Sequence, residues 1–152
     1  MTFHLFALAV VVTACGDDGS SPIDAPIAID AAVDAPADAP VARINGCTRA
    51  QATDATAAGA NRMITLNDND TYTPPCLRIR AGQTVTWIGD FDAHPLEPGI
   101  VVPGDVEPQP GSPIVATSSG SAAQITFAAT GEWGFFCPNH LPGMVGAVFV
   151  DP

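Results

Sequence analysis

The sequence predicts an all-β fold, a Greek-key sandwich, and three observations carry that prediction. Gly and Pro are abundant, 14 and 15 of 152 residues, and cut the chain into short pieces. Between the cuts, Val, Ile, Thr and Phe recur, residue types that fit a pleated, half-buried surface. No segment sustains a helical period. With 47% hydrophobic residues there is enough apolar material to bury a core.

The strand candidates, in chain order, are residues 62–66, 76–80, 83–88, 124–128, 131–137 and 145–150, each bounded by Gly, Pro, Asn or Asp. Alternation assigns their faces. Val85 and Trp87 share one side of their strand, as do Ile125 and Phe127, and Trp133, Phe135 and Cys137 share a face of theirs. Residues 97–121 are rich in Pro, Gly and Ser and read as a surface loop, with one or two short strands around 114–116. The composition changes near Ile44, where Arg, Cys, Asn and aromatic residues enter, so the folded domain is read as 44–152.

Two segments precede that domain. Residues 1–14 contain an apolar run from Phe3 to Ala14, short for a bilayer span and of a length that suits a signal peptide, although no Lys or Arg precedes it. Val12, Thr13 and Ala14 before Cys15 look like a bacterial lipobox, which makes Cys15 the expected lipidation site and the mature N-terminus. The alternative is a buried N-terminal strand carrying a free Cys. Residues 15–43 read as an Asp/Ala/Pro-rich disordered tether: Asp-Ala-Pro recurs at Asp24, Asp34 and Asp38, Pro interrupts helix, and the like charges repel. At about 3.1 Å per residue in an extended polyproline conformation, such a tether holds its domain several nanometres from a membrane. The expected location is the bacterial envelope, in the periplasm or at the outer membrane or cell surface.

Charge excludes some partners. Sixteen acidic residues face five basic ones, a net charge of −11. Nucleic acid and anionic lipid head groups need a basic surface that is lacking here.

The four cysteines each need a role. With Cys15 acylated, three remain in an oxidising compartment, an odd number. Cys47 and Cys76 are read as a disulfide that pins the N-terminal segment to the sandwich, worth roughly 3 kcal/mol on the chain-entropy account. The alternative pairs Cys137 with one of them. Cys137 stands in a different setting: a strand delivers it, and His140 and Met144 follow on a tight loop. A thiolate, imidazole and thioether suit copper in both oxidation states, and two His with one Cys and a weak axial Met is an electron-transfer arrangement. The second imidazole must come from elsewhere. His4 lies in the leader, which leaves His94, after the strand at 83–88. Alternatives for single residues are a core Met144 and a surface His94.

Residues 72–150 resemble the plastocyanin/azurin-type cupredoxin family of blue copper proteins. The likeness is strongest at Cys137, His140, Gly143, Met144, Val145 and Gly146, and extends to the segment from Pro75 to Trp87. It implies His94, Cys137 and His140 as equatorial ligands of one copper ion and Met144 as the axial one. The spacing from His140 to Met144 lies between those of plastocyanin-like and amicyanin-like loops. In the family the thiolate sulfur accepts backbone N–H bonds from the residue after the first His and from the second residue after the Cys. Pro95 has no N–H, so Asn139 is the expected donor here.

The implied function is one-electron transfer between Cu(I) and Cu(II) by a monomer, not an enzyme. Leu96, Pro138, Leu141, Pro142 and Gly143 form a candidate docking patch around His140 for a redox partner. Asp90, Asp92, Glu97, Asp105 and Glu107 could steer a basic one. The alternative function is copper storage or delivery at the envelope with the same ligands. A metal-free adhesion module is a third reading, which the complete ligand set disfavours.

Overall fold

Turn residues stop every strand early, and the result is a sandwich of many short elements. The structure, a computed structural model, describes residues 42–152. The leader 1–14, Cys15 and the tether up to residue 41 lie outside the described residues. The strands are β1 (Thr53–Asp54), β2 (Met63–Asn67), β3 (Thr71–Thr73), β4 (Cys76–Arg80), β5 (Thr84–Ile88), β6 (Glu97–Pro98), β7 (Ile100–Val102), β8 (Asp105–Glu107), β9 (Ala122–Thr126), β10 (Gly131–Phe136) and β11 (Val145–Asp151). Helical structure among the described residues is confined to 3-10 turns at Arg49–Gln51 and Pro138–His140. One sheet has the order β1-β4-β11-β10-β6, the other β3-β2-β5-β9, and β7 and β8 form a separate hairpin. Both sheets are mixed, with β4–β11 and β2–β5 parallel and β10–β11 and β5–β9 antiparallel. The fold class is the all-β sandwich that the sequence predicts.

Alternation becomes burial as expected. Val85 and Trp87 of β5 are fully buried, and Ile125 and Phe127 are buried beside them. Trp87 meets Phe135 edge-on at 5.5 Å between ring centroids, and Tyr72 meets the same ring at 4.9 Å, a favoured arrangement for aromatic pairs. The apolar run of β11 has a different cause. Val148 and Val150 face the main core, while Ala147 and Phe149 face a second cluster with Cys47. A strand covered on both sides reads as continuous rather than alternating. The cover on the second side is the segment around Ile44 to Ala52, pinned by a Cys47–Cys76 disulfide.

Two expectations are corrected. Residues 114–116 form no strand: Ile114 is a single buried plug, and the neighbouring Thr117 makes an isolated bridge with Leu96. The strands of the long loop lie earlier, at β6, β7 and β8. The strand expected at 124–128 is shifted to Ala122–Thr126, because pairing with β5 sets its limits.

Asn45 ties the β7 hairpin to the β10–β11 pair. Its Nδ2 donates to the carbonyls of Gly99 (3.1 Å), Phe135 (3.0 Å) and Gly146 (3.0 Å), and its Oδ1 accepts from the N–H of Val101 (2.7 Å). One amide thus satisfies backbone groups of β10, β11 and the β7 hairpin. Close approach requires glycine at two places. A Cβ on Gly134 would stand 2.4 Å from Gly99 O and 2.9 Å from Asn45 Nδ2, and one on Gly146 would stand 2.4 Å from both the Phe135 ring and Pro75 O.

Asn45→Ala is therefore expected to lose about 3 kcal/mol by stranding several part-buried backbone groups, read as a lowered midpoint in urea unfolding at an unchanged slope. Replacing Cys47 and Cys76 together with Ala opens a loop with a sequence separation of 29. The same measurement should show a loss of about 3 kcal/mol.

Candidate metal centre

Two loops at one end of the sandwich build the site. In the first, β10 hands over to Cys137, a 3-10 turn follows at Pro138–His140, and β11 begins at Val145. The backbone closes this loop on itself. Cys137 N donates to Met144 O (2.9 Å), Met144 N and Gly143 N donate to His140 O (2.9 and 3.0 Å), and His140 N donates to Cys137 O (3.2 Å). Pro138 sits at the start of the turn, where its missing N–H costs nothing. In the second loop, the Asp90 carboxylate accepts from the N–H groups of Asp92 (2.9 Å) and Ala93 (3.4 Å), and His94 N donates to Asp90 O (2.9 Å). Asp90 therefore shapes the turn that presents His94. Asn139 ties the loops together by donating from Nδ2 to Ala93 O at 3.0 Å.

The donors converge. His94 Nδ1 and His140 Nδ1 are 3.1 Å apart, Cys137 Sγ lies 3.4 Å from His140 Nδ1, and one ligand atom from each residue lies within 4.8 Å of the others. Cys137 is fully buried and His94 is 7% exposed, while the His140 side chain is 30% exposed. Such separations suit donors around one ion with bonds of about 2.0–2.3 Å. Two imidazoles and a thiolate form a soft set that matches copper. Burial pushes the Cys137 thiol above its ordinary pKa; hydrogen bonding by the backbone amides of Asn139 and then His140 pulls it down, and the carboxylates of Asp70 and Glu97 push it up again.

The remaining predicted residues divide. Met144 is fully buried in the cluster that contains Cys137, Phe91 and Leu96. Cys47 and Cys76 are bonded to each other, and Cys137 is the free cysteine among the described residues. Pro95 follows His94 without an N–H. In the expected docking patch, Leu141 is 42% exposed, Pro142 and Gly143 are exposed and Pro138 is half-buried. Leu96 is a correction. It is fully buried, because reciprocal backbone bonds with Thr117 (2.8 and 2.9 Å) turn it into the core beneath the site.

Sequence reasoning misses Asp70. Its Oδ1 lies 3.3 Å from His140 Nε2 and 3.9 Å from His94 Nδ1. The only local signal is a run of turn formers, Asn67 to Asp70, which announces a hairpin and not its place beside the metal donors. Asn45, which braces both strands of the ligand hairpin, carries no sequence signal beyond a neighbouring Gly.

No family model matches the chain, and no curated protein matches it. Among solved structures, a purple cupredoxin from Nitrosopumilus maritimus is 31% identical, covering 59% of this chain and 98% of that one, with a TM-score of 0.44. Amicyanin from Paracoccus versutus is 25% identical over 62% of this chain and 85% of that one, with a TM-score of 0.42. A copper-containing nitrite reductase from Thermus scotoductus is 26% identical over 68% of this chain but only 26% of that one, with a TM-score of 0.42. With 31% identity running over 98% of the purple cupredoxin's length, the chain belongs to the cupredoxin family.

Proposed function

We propose that His94, Cys137 and His140 would hold one copper ion, with Met144 as a weaker fourth donor, and that the chain carries single electrons between partner proteins. The observation that supports this reading is the convergence of two Nδ1 atoms and one Sγ at the end of a backbone-braced hairpin. When bound, copper supplies a one-electron couple between Cu(II) and Cu(I). The protein's part is to hold the donors still. Cys137 and Met144 are locked in register by Cys137 N to Met144 O, and His94 is fixed by its Asp90 turn. Burial holds the Cys137 thiol above its ordinary pKa, so loading a metal on the thiolate would release a proton.

His140 is the donor nearest solvent, and its rim of Leu141, Pro142 and Gly143 offers a small apolar contact for transient docking. Asp92 and Glu107 are exposed and free to steer a basic partner, whereas the carboxylates of Asp90 and Asp105 each accept a backbone N–H of their own turn. We read the protein as a monomeric carrier and not an enzyme, exported and anchored in the envelope through acylated Cys15.

Copper titration of the full chain is expected to give an intense visible thiolate-to-Cu(II) band that disappears in Cys137→Ser; a wild type that binds copper without that band would overturn the reading. A carrier should keep its copper through repeated reduction and reoxidation against a competing chelator, whereas loss of the metal on each reduction would favour storage or delivery. The association rate with a basic redox protein should fall as ionic strength rises; a flat rate in stopped-flow measurements would exclude steering.

A further inference from the structure

The β2–β3 hairpin belongs to the sheet that carries none of the donors of the Cys137 loop, yet its turn reaches the site. It is a built turn. Asp70 N donates to Asn67 O (3.1 Å), and Asn67 Nδ2 donates to Thr71 O (3.1 Å), Thr71 Oγ1 (3.1 Å) and Thr73 Oγ1 (2.9 Å). Thr71 Oγ1 in turn donates to Asn69 Oδ1 (2.7 Å). Asp70 itself sits at φ +60°, a left-handed conformation that Asp and Asn tolerate better than most residues. The outcome is a half-exposed carboxylate held over the outer edge of His140.

The two ring nitrogens of His140 face different neighbours. Nδ1 faces His94 Nδ1 and Cys137 Sγ, while Nε2 stands 3.3 Å from Asp70 Oδ1. The contact is an ion-pair approach and not an aligned hydrogen bond, and the same oxygen lies 3.9 Å from His94 Nδ1. A carboxylate beside Nε2 favours the proton there by charge, which leaves the Nδ1 lone pair free, and outer partners of this kind bias the tautomer of a metal-binding His. We propose that Asp70 is the positioning residue for His140: it holds the proton of the neutral ring on Nε2, leaves Nδ1 for the metal, and places a negative charge beside the exposed edge of the site. This rests on the copper reading above. The oxidised site carries one more positive charge than the reduced one, so the carboxylate favours Cu(II). Because the group is 52% exposed, solvent screens that effect and keeps it modest.

The test compares wild type with Asp70→Asn, which keeps the shape and the left-handed backbone, and Asp70→Gly, which removes the side chain without backbone strain. In the metal-free full chain, at a pH where the ring is neutral, nitrogen-15 correlation spectra should show His140 as the Nε2–H tautomer in wild type. They should show a shift towards a mixture in Asp70→Gly. In the copper-loaded chain, both variants should retain the visible band. At a fixed applied potential, their ratio of oxidised to reduced copper should fall by about fivefold. Unchanged tautomer and unchanged ratio in both variants would overturn the proposal. A wild type without the copper band would refute the copper reading instead, and the tautomer measurement, which needs no metal, would still decide the role of Asp70.

Discussion

The antiparallel pairing of β10 with β11 is the constraint on which the site depends. Its register sets Phe136 opposite Val145 and Phe135 opposite Gly146, so the next residues outward, Cys137 and Met144, meet across the closing bond of the hairpin. Side chains alternate along a strand, and a slip of one residue would turn Phe135 and Cys137 from the core to the opposite face. Several features resist that slip. The Phe135 ring lies where a Cβ on Gly146 would be, so only glycine fits opposite it. Asn45 bonds the carbonyls of both strands at that same pair, Phe135 and Gly146. The parallel partner β4 pins the other edge of β11, from Ala147 opposite Cys76 to Asp151 opposite Arg80. Register, and with it the direction of the thiol, is therefore determined from three sides.

How much of this is legible in the sequence depends on how local each feature is. Cys137, His140 and Met144 fall within one loop, so their spacing alone shows that they can share a site, and β4 is legible because Cys76–Arg80 alternates between clear turn signals. His94 is found differently, as the one histidine left in the folded region, and the structure brings it to the others from a separate loop. Features made by distant pairing are not legible. Strand β3 is too short to display alternation, and β6 to β8 lie in a stretch whose Pro and Gly content reads as loop. Leu96 looks like an exposed apolar residue because its neighbours are His94, Pro95 and Glu97; what buries it is Thr117, far along the chain. Asn45 and Asp70 are ordinary turn residues in sequence, and their importance lies wholly in what the fold brings to them.

The surroundings of the thiol show how one fold serves opposed demands. Beneath the site lie Phe91, Leu96, Phe135 and Met144, all fully buried, and this apolar floor disfavours a bare thiolate. The loop's own amides answer in part, with the larger contribution from Asn139. A site that made the anion comfortable without metal would bind the metal less strongly relative to its proton. Keeping the sulfur in an apolar setting makes a cation the best available partner for the ionised form. The same floor excludes water from the side of the site that faces the core.

The upper side is built by another logic. His94 and Cys137 are enclosed, but His140 keeps an open edge, because its loop turns outward at Leu141 and Pro142 before returning to β11. Electron transfer needs an exit, and a short one favours speed; complete burial of every donor would defeat it. Exposure, however, leaves a ring free to rotate or to change tautomer. The two brackets on the loops address this without closing the edge. Asn139 binds the Cys137 loop to the carbonyl before His94, which fixes the spacing between the histidine-bearing segments. The Asp70 turn reaches over from the opposite sheet to the far nitrogen of His140. The two sheets thus meet not only in the core but again at the rim, where the half-exposed Asp70 carboxylate stands beside the outermost donor.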